Sequence, residues 1–346
     1  MIFVYKCDII LKNIPLPYKK NGENTGMEIS SSHVYTKLTT TIDEIEKVII
    51  GKRDVITLLV VALLAGGHVM IEDVPGTGKT TLATALGKST GLKFKRAQFT
   101  PDVTASDITG FNLFNKETNR FEFRPGMSMT NILLADEINR TSPKTQSALL
   151  EAMEERNVTV DGHTYRLPRP FMVIATQNEL GFVGTFPLPE AQLDRFMIKV
   201  SMGYPSTAEE LRILAGKIGN EPMDSVRAVC TAEELEQYSQ LTGQVTVDSK
   251  IAQYIVSFTS ATRNHPAVLL GASPRASLAL MRCSQALALI SGRTYVVPED
   301  VSSLIPYVLS HRIHIKQEAK IKGITAKNVL EDVKNSIMHP FGKVQE

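Results

Sequence analysis

The sequence predicts an α/β fold: a three-layer αβα core around a five-stranded parallel sheet, followed by an all-helical domain. Three observations predict it. Five short apolar runs, His68–Glu72, Lys93–Phe99, Asn131–Asp136, Phe171–Thr176 and Phe196–Val200, have the composition of parallel strands covered on both faces. Helical periodicity lies between them, at Gly78–Ser89 and Pro143–Glu154. Beyond Gly203–Ser206 the strand signals stop, and six amphipathic segments follow one another. A chain of 346 residues exceeds the usual single-core size, so two domains are the default. We expect a poorly structured extension over 1–30, the core over 31–203 and the helical domain over 204–346.

Along the chain, a helical pattern starts at Ser31, with Ile42, Ile45, Val48 and Ile49 on one face and Gly51 ending the run. Val55–Ala65 is a largely apolar helix. Ser142 is placed to cap the Pro143 helix, with proline at its first position. Two hairpins interrupt the alternation. Phe111–Asn115 and Arg120–Arg124 flank a polar turn, and Asn157–Val160 and His163–Leu167 flank Asp161-Gly162, a two-residue turn signal. The helical segments are Ala208–Lys217, Ala232–Leu241, Ser249–His265, Pro274–Ser291, Pro298–His311 and Ala326–Met338. Caps are expected at Ser206 or Thr207, at Thr231 with Glu234, at Asp248 and at Ser273.

Composition sets limits. No apolar run is long enough to span a bilayer. The net charge of +2 offers no global argument for nucleic acid. Three widely spaced cysteines, Cys7, Cys230 and Cys283, point to a reducing compartment, so a cytoplasmic location is expected, with neither a disulfide framework nor a metal site. His311 and His314 are read as sharing a helix face without a third metal ligand.

The chemistry concentrates at a few places. Val69–Leu82 reads as a strand, a glycine-bearing turn and a helix opening on Lys79-Thr80-Thr81. After Pro75, backbone N–H groups from about Gly76 to Thr80, through Thr77 and Gly78, can converge on an anion at the helix start, where the helix dipole is favourable. Lys79 would reach the terminal phosphates of a nucleotide, and the Thr80 hydroxyl would hold Mg²⁺. Asp73 stands where the strict pattern has glycine, and its carboxylate is expected to point away from phosphate. Ile132–Asp136 delivers Asp136 to the strand end as a second magnesium-organising group, with Glu137 placed to polarise a water. Asn178 follows the next apolar strand. Arg195 ends a short helix, and Arg275 opens the Pro274 helix; guanidinium groups suit a γ-phosphate whose charge spreads in the transition state.

These elements, in this order over roughly residues 40 to 312, resemble the AAA+ ATPases, a P-loop NTPase family. The segments IIGKRDVI, GHVMIEDVPGTGKTTLA, LLADEINRTSPKTQSALLEAMEERNVTVDG, VIATQNE and FPLPEAQLDRFM resemble its MoxR branch, whose two inserted hairpins match those noted above. The resemblance implies that Lys79 and Thr80 bind phosphate and metal, and that Asp136 organises Mg²⁺ while Glu137 is the catalytic base. It makes Asn178 the first sensor, Arg195 an arginine finger offered to a neighbouring subunit, and Arg275 the second sensor on the lid. Ile50 and Gly51 fall where the family packs adenine. ATP and Mg²⁺ are the implied cofactors. The implied assembly is a homo-oligomer, a hexameric ring, acting as a chaperone-like remodelling ATPase on client proteins with von Willebrand factor A domains, in their maturation or metal-cofactor insertion. Two alternatives share the fold: a nucleic-acid-dependent motor, against which the near-neutral charge counts, and a magnesium-chelatase-like motor subunit.

Overall fold

The sheet forms where the apolar runs predict it. In chain order the strands are β1 Val69–Glu72, β2 Phe94–Gln98, β3 Gly110–Asn115, β4 Arg120–Pro125, β5 Ile132–Asp136, β6 Asn157–Val160, β7 His163–Arg166, β8 Met172–Gln177 and β9 Ile198–Val200. The computed structural model describes residues 31–177, 186–216, 222–338 and 340. Five strands pair in parallel in the order β2-β5-β8-β1-β9. The chain therefore leaves β1 for the far edge, returns through β5 and β8, and passes beyond β1 to β9. Such a reversal opens a crevice at the carboxyl end of the strands, here beside β1.

Three of the strands are apolar and buried along almost their whole length, but β2 is not: only Ala97 is buried, and Lys95, Arg96 and Gln98 are exposed. It is an edge strand with β5 as its one neighbour, and the expectation of two covered faces fails there. One side of the sheet packs Leu133, Ala135, Val173 and Ala175 against Leu149 and Met153 of the helix Pro143–Glu155. Ser142 caps that helix, accepting from Thr145 N at 3.3 Å. The two hairpins are β3–β4 and β6–β7. In the second, Asp161 (φ 48°) and Gly162 (φ 79°) both take the left-handed conformation that the tight turn requires. The hairpins meet where Phe123 stacks on Tyr165 at 3.8 Å, and Asn112 Nδ2 donates to Asp161 Oδ2 at 2.8 Å.

His68, just before β1, is fully buried. Its Nδ1 accepts from Val173 N at 2.9 Å, and its Nε2 lies 3.0 Å from Met153 O. One imidazole thus ties β8 to the flanking helix, and burial pushes its pKa down to about 4. The unfolded chain takes up this proton below about pH 6.5 and the folded chain only near 4, so stability falls as pH drops through that window. The loss is expected to reach roughly 3 kcal/mol. Urea midpoints between pH 7 and 4.5 should show a steeper slope for the parent than for His68→Asn.

Two compact units emerge, Asp43–Ile56 with Gly66–Glu236, and Thr57–Ala65 with Gln237–Glu346 and the chain up to Ile42. This departs from the boundary expected at 203/204. Residues 222–230 stay with the sheet unit because they lie along the end of the helix Lys79–Ser89, where Val229 N donates to Ser89 O at 2.8 Å and Lys88 Nζ to Met223 O at 2.7 Å. Ser206, rather than Thr207, caps the helix Thr207–Gly216 in a reciprocal box with Glu209, and Thr231 pairs likewise with Glu234.

The second unit is built from the helices Ser249–Asn264, Pro274–Ile290, Pro298–Leu309 and Ala326–Ser336. Asp248 and Ser273 cap the first two as expected. It also carries a short antiparallel ladder, β10 Val268–Leu270 with β11 His314–Ile315, too brief to leave a periodic signal. The Pro298 helix stops at Leu309, so His311 falls in a 3₁₀ turn and His314 in β11; the two share no helix face. Arg293 and Asp300 form a buried bidentate pair at 2.7 and 2.6 Å, and Asp300 also accepts from Val297 N. Burial pushes the Cys283 thiol up to about 12, leaving it protonated and inert. Among the described residues no helix is long and apolar enough to cross a membrane.

Candidate functional site

The turn after β1 and the helix Lys79–Ser89 take the strand–turn–helix form anticipated from the sequence. Gly78 occupies the N-cap with φ 89°, a conformation that a side chain would strain, and it starts the helix without a capping side chain. The first N–H groups of a helix have no partner within it and face outward along the dipole. Above Gly76 the space is open: among the described residues nothing lies within 4 Å of where a Cβ would sit. A phosphate fits that opening.

Lys79 is buried, and its Nζ donates to Asp73 O at 2.9 Å and Val74 O at 3.1 Å, so the ammonium is folded over the loop's own carbonyls. The Asp73 carboxylate turns away, as electrostatics requires of an acid beside a phosphate site. Its Oδ2 accepts from Met202 N at 2.7 Å and Gly203 N at 2.8 Å, and its Oδ1 from Val74 N at 2.9 Å. These bonds tie the loop to the segment leaving β9.

A cleft of about 910 Å³ opens over the loop. Gly76, Thr77, Gly78, Thr80 and Thr81 line it, together with the apolar side chains of Ile49, Ile50, Met202, Pro205, Ile213 and Met223. A cleft lined by both a glycine-rich turn and apolar side chains suits a nucleotide, which has phosphates and a base to cover. Pro75 precedes the cradle, exposed. Gly51, with φ 74°, adjoins Ile50, and a Cβ there would overlap the Glu209 carboxylate. The Ser206 backbone N–H holds Glu209 below the usual carboxylate range.

Asp136 ends β5 two strands from β1, with β8 between them. The Thr176 hydroxyl donates to Asp136 Oδ1 at 2.6 Å and accepts from Glu137 N at 2.9 Å, so one β8 side chain orients both acids. Arg96 on β2 meets Asp136 Oδ2 through Nη2 at 2.8 Å. Glu137 adopts φ 57°, a left-handed backbone that is costly for a residue with a side chain. Its Oε2 accepts from Gln98 Nε2 at 3.0 Å and Arg140 Nη1 at 2.9 Å.

The remaining predicted residues lie elsewhere. Arg195, beyond the short helix Glu190–Leu193, contacts Glu154 Oε2 through Nε at 3.2 Å, in a separate hollow of about 260 Å³ lined by Glu151, Glu155 and Gln192. Arg275 sits exposed in the first turn of Pro274–Ile290, in the second unit. Asn178 lies outside the described residues. Sequence reading missed Arg96, Gln98 and Thr176, which hold the acids, and Met202, Ile213 and Met223, which wall the cleft. The one available signal was the spacing of Arg96 and Gln98, two apart on a strand and hence on one face.

Comparison with known proteins agrees with this architecture. The ATPase family associated with various cellular activities (AAA) matches residues 68–198, and the AAA lid domain matches residues 260–333. Chaperone MoxR1 of Mycobacterium tuberculosis is 38% identical over 324 residues, 91% of this chain and 85% of its own. Protein MoxR of Methylorubrum extorquens is 30% identical over 79% of this chain and 86% of its own. The Bacillus subtilis protein YeaC is 51% identical over 86% of this chain and 93% of its own. A crystal structure of a proposed ATPase from Cytophaga hutchinsonii superposes with a TM-score of 0.83 at 36% identity, covering 89% of this chain and 96% of that one. On these matches to the AAA and AAA lid models and to the MoxR relatives, the chain belongs to the MoxR family of AAA+ ATPases.

Proposed function

We propose that the chain hydrolyses ATP with magnesium and uses the cycle to remodel partner proteins. The observation that carries this reading is the single cleft joining an anion cradle to an apolar wall, with two acids at the same carboxyl end of the sheet. Gly76 to Thr81 hold the phosphates, Ile50 and Gly51 the base. Lys79 exchanges the carbonyls of Asp73 and Val74 for the β- and γ-phosphates. Thr80 and Asp136 are the residues that would hold magnesium, which supplies charge neutralisation between phosphates. Glu137, fixed by Gln98 and Arg140, orients the attacking water and takes its proton, and Asn178 is assigned the first-sensor role toward that water or the γ-phosphate.

Arg195 lies in a hollow apart from the cleft lining, which supports a role toward a neighbouring copy. Arg275 acts from the lid. A hexameric ring supplies both partners of each site. The MoxR1 relative, a chaperone, supports a protein client, and we assign clients with von Willebrand factor A domains, matured or loaded with metal in the cytoplasm.

Glu137→Gln tests the base. Turnover is expected to fall roughly 10²–10⁴-fold while ATP co-elutes unhydrolysed with the protein. Turnover at the parental rate would reject Glu137 in that role. The same variant, immobilised with ATP, should retain the client for identification.

A further inference from the structure

Arg96 and Gln98 project from one face of the edge strand β2 toward the acids that end β5. Arg96 grips Asp136 Oδ2 twice, through Nη2 at 2.8 Å and Nε at 3.3 Å, while the Thr176 hydroxyl takes Oδ1 at 2.6 Å. Both carboxylate oxygens are thus engaged, one of them by a full positive charge. Arg96 Nη2 also donates to Gln98 Oε1 at 3.3 Å. The two partners differ in freedom: the Arg96 side chain is 50% exposed and that of Asp136 only 12%. The guanidinium can swing into solvent with little loss of packing, whereas the carboxylate is held by the sheet.

We infer that Arg96 is a positioning residue for Asp136 and the direct competitor of the divalent cation for its Oδ2. This rests on the reading of Asp136 as the acid that organises magnesium. A cation bound at that oxygen, directly or through its water shell, and a guanidinium on the same oxygen carry charges of one sign a few ångströms apart. Their repulsion in partly dewatered surroundings exceeds that in bulk water. Cation binding therefore turns Arg96 off the acid, and the strength of the Arg96 grip sets the magnesium concentration at which nucleotide is held. Until then Arg96 keeps the Asp136 charge compensated, which a mostly buried carboxylate needs.

The test is a binding measurement. A fluorescent, non-hydrolysable ATP analogue is mixed with the full-length protein and titrated with magnesium, and the free magnesium at half-maximal binding is read. Arg96→Gln and Arg96→Met are expected to lower that concentration about tenfold, while Arg96→Lys stays within about twofold of the parent. Substitution of a half-exposed edge-strand residue is tolerated by the fold, and thermal melts without nucleotide verify this for each variant. An unchanged or raised half-saturation point in Arg96→Gln overturns the inference, as does a lysine variant that behaves like the glutamine one. Asp136→Asn separates the two levels of the argument. If it impairs magnesium-dependent binding while Arg96→Gln has no effect, the Arg96 assignment alone falls. If the parent binds without regard to magnesium, or Asp136→Asn matches it, both readings fall.

Discussion

Arg195→Ala is expected to lower steady-state ATP turnover by about 10³–10⁵-fold, the range in which an arginine finger acts on phosphoryl transfer. Affinity for nucleotide should change by no more than a few-fold, because Arg195 is not part of the cleft lining. Its contact with Glu154 is a partly exposed ion pair, worth little to the fold, so the variant should melt close to the parent. Mixing supplies the decisive measurement. An Arg195→Ala subunit keeps Glu137 and lacks only the arginine, while a Glu137→Gln subunit keeps the arginine and lacks the base. Mixed assemblies should regain part of the turnover that each lacks alone. Two inactive variants that stay inactive together would show that Arg195 does not serve a neighbour's site.

Arg293→Ala is expected to destabilise the lid-containing unit by about 3–5 kcal/mol, the cost of leaving one member of a buried ion pair behind. Both side chains are almost wholly inaccessible, at 2% and 0%, and the variant loses both bonds, of 2.7 and 2.6 Å, to the buried carboxylate. Burial already pushes the Asp300 carboxyl up, and the guanidinium is what opposes it. Without Arg293 the folded state favours the protonated acid. A carboxyl raised in the folded state stabilises below its unfolded range and loses that stability as pH climbs. The deficit of Arg293→Ala should therefore widen from pH 5 to pH 8 in urea titrations. A paired change, Arg293→Met with Asp300→Leu, should recover most of the loss, since well-packed apolar replacements of a buried pair are often neutral. A small, pH-independent deficit would mean that the pair contributes little.

Much of the core was legible in advance because its signals are local. Three to five consecutive apolar residues mark each inner strand, and Asp161-Gly162 marks a turn whose two residues do take positive φ. The edge strand β2 was legible in position but not in burial, since composition does not say which strand lacks a second neighbour. The outward turn of Asp73 followed from charge alone, yet its partners, Met202 N and Gly203 N, stand 129 and 130 residues away. The apolar wall of the cleft draws Met202, Ile213 and Met223 from the far side of β9, none of which forms a motif with the glycine turn. A boundary read from the end of strand signals does not register such segments, because the bonds that hold residues 223 and 229 to the end of the helix Lys79–Ser89 leave no local pattern.

Order along the chain was enough to establish the strand–loop–helix cradle, the acids at a strand end and the family they belong to, because those depend on residues within a few positions of one another. Which charge meets which acid was settled by the sheet order: β2 lies beside β5, so Arg96 reaches Asp136 from 40 residues away. Hydrogen bonds and ion pairs act over about 3 Å in space whatever the separation in sequence, and only the folded chain supplies that distance.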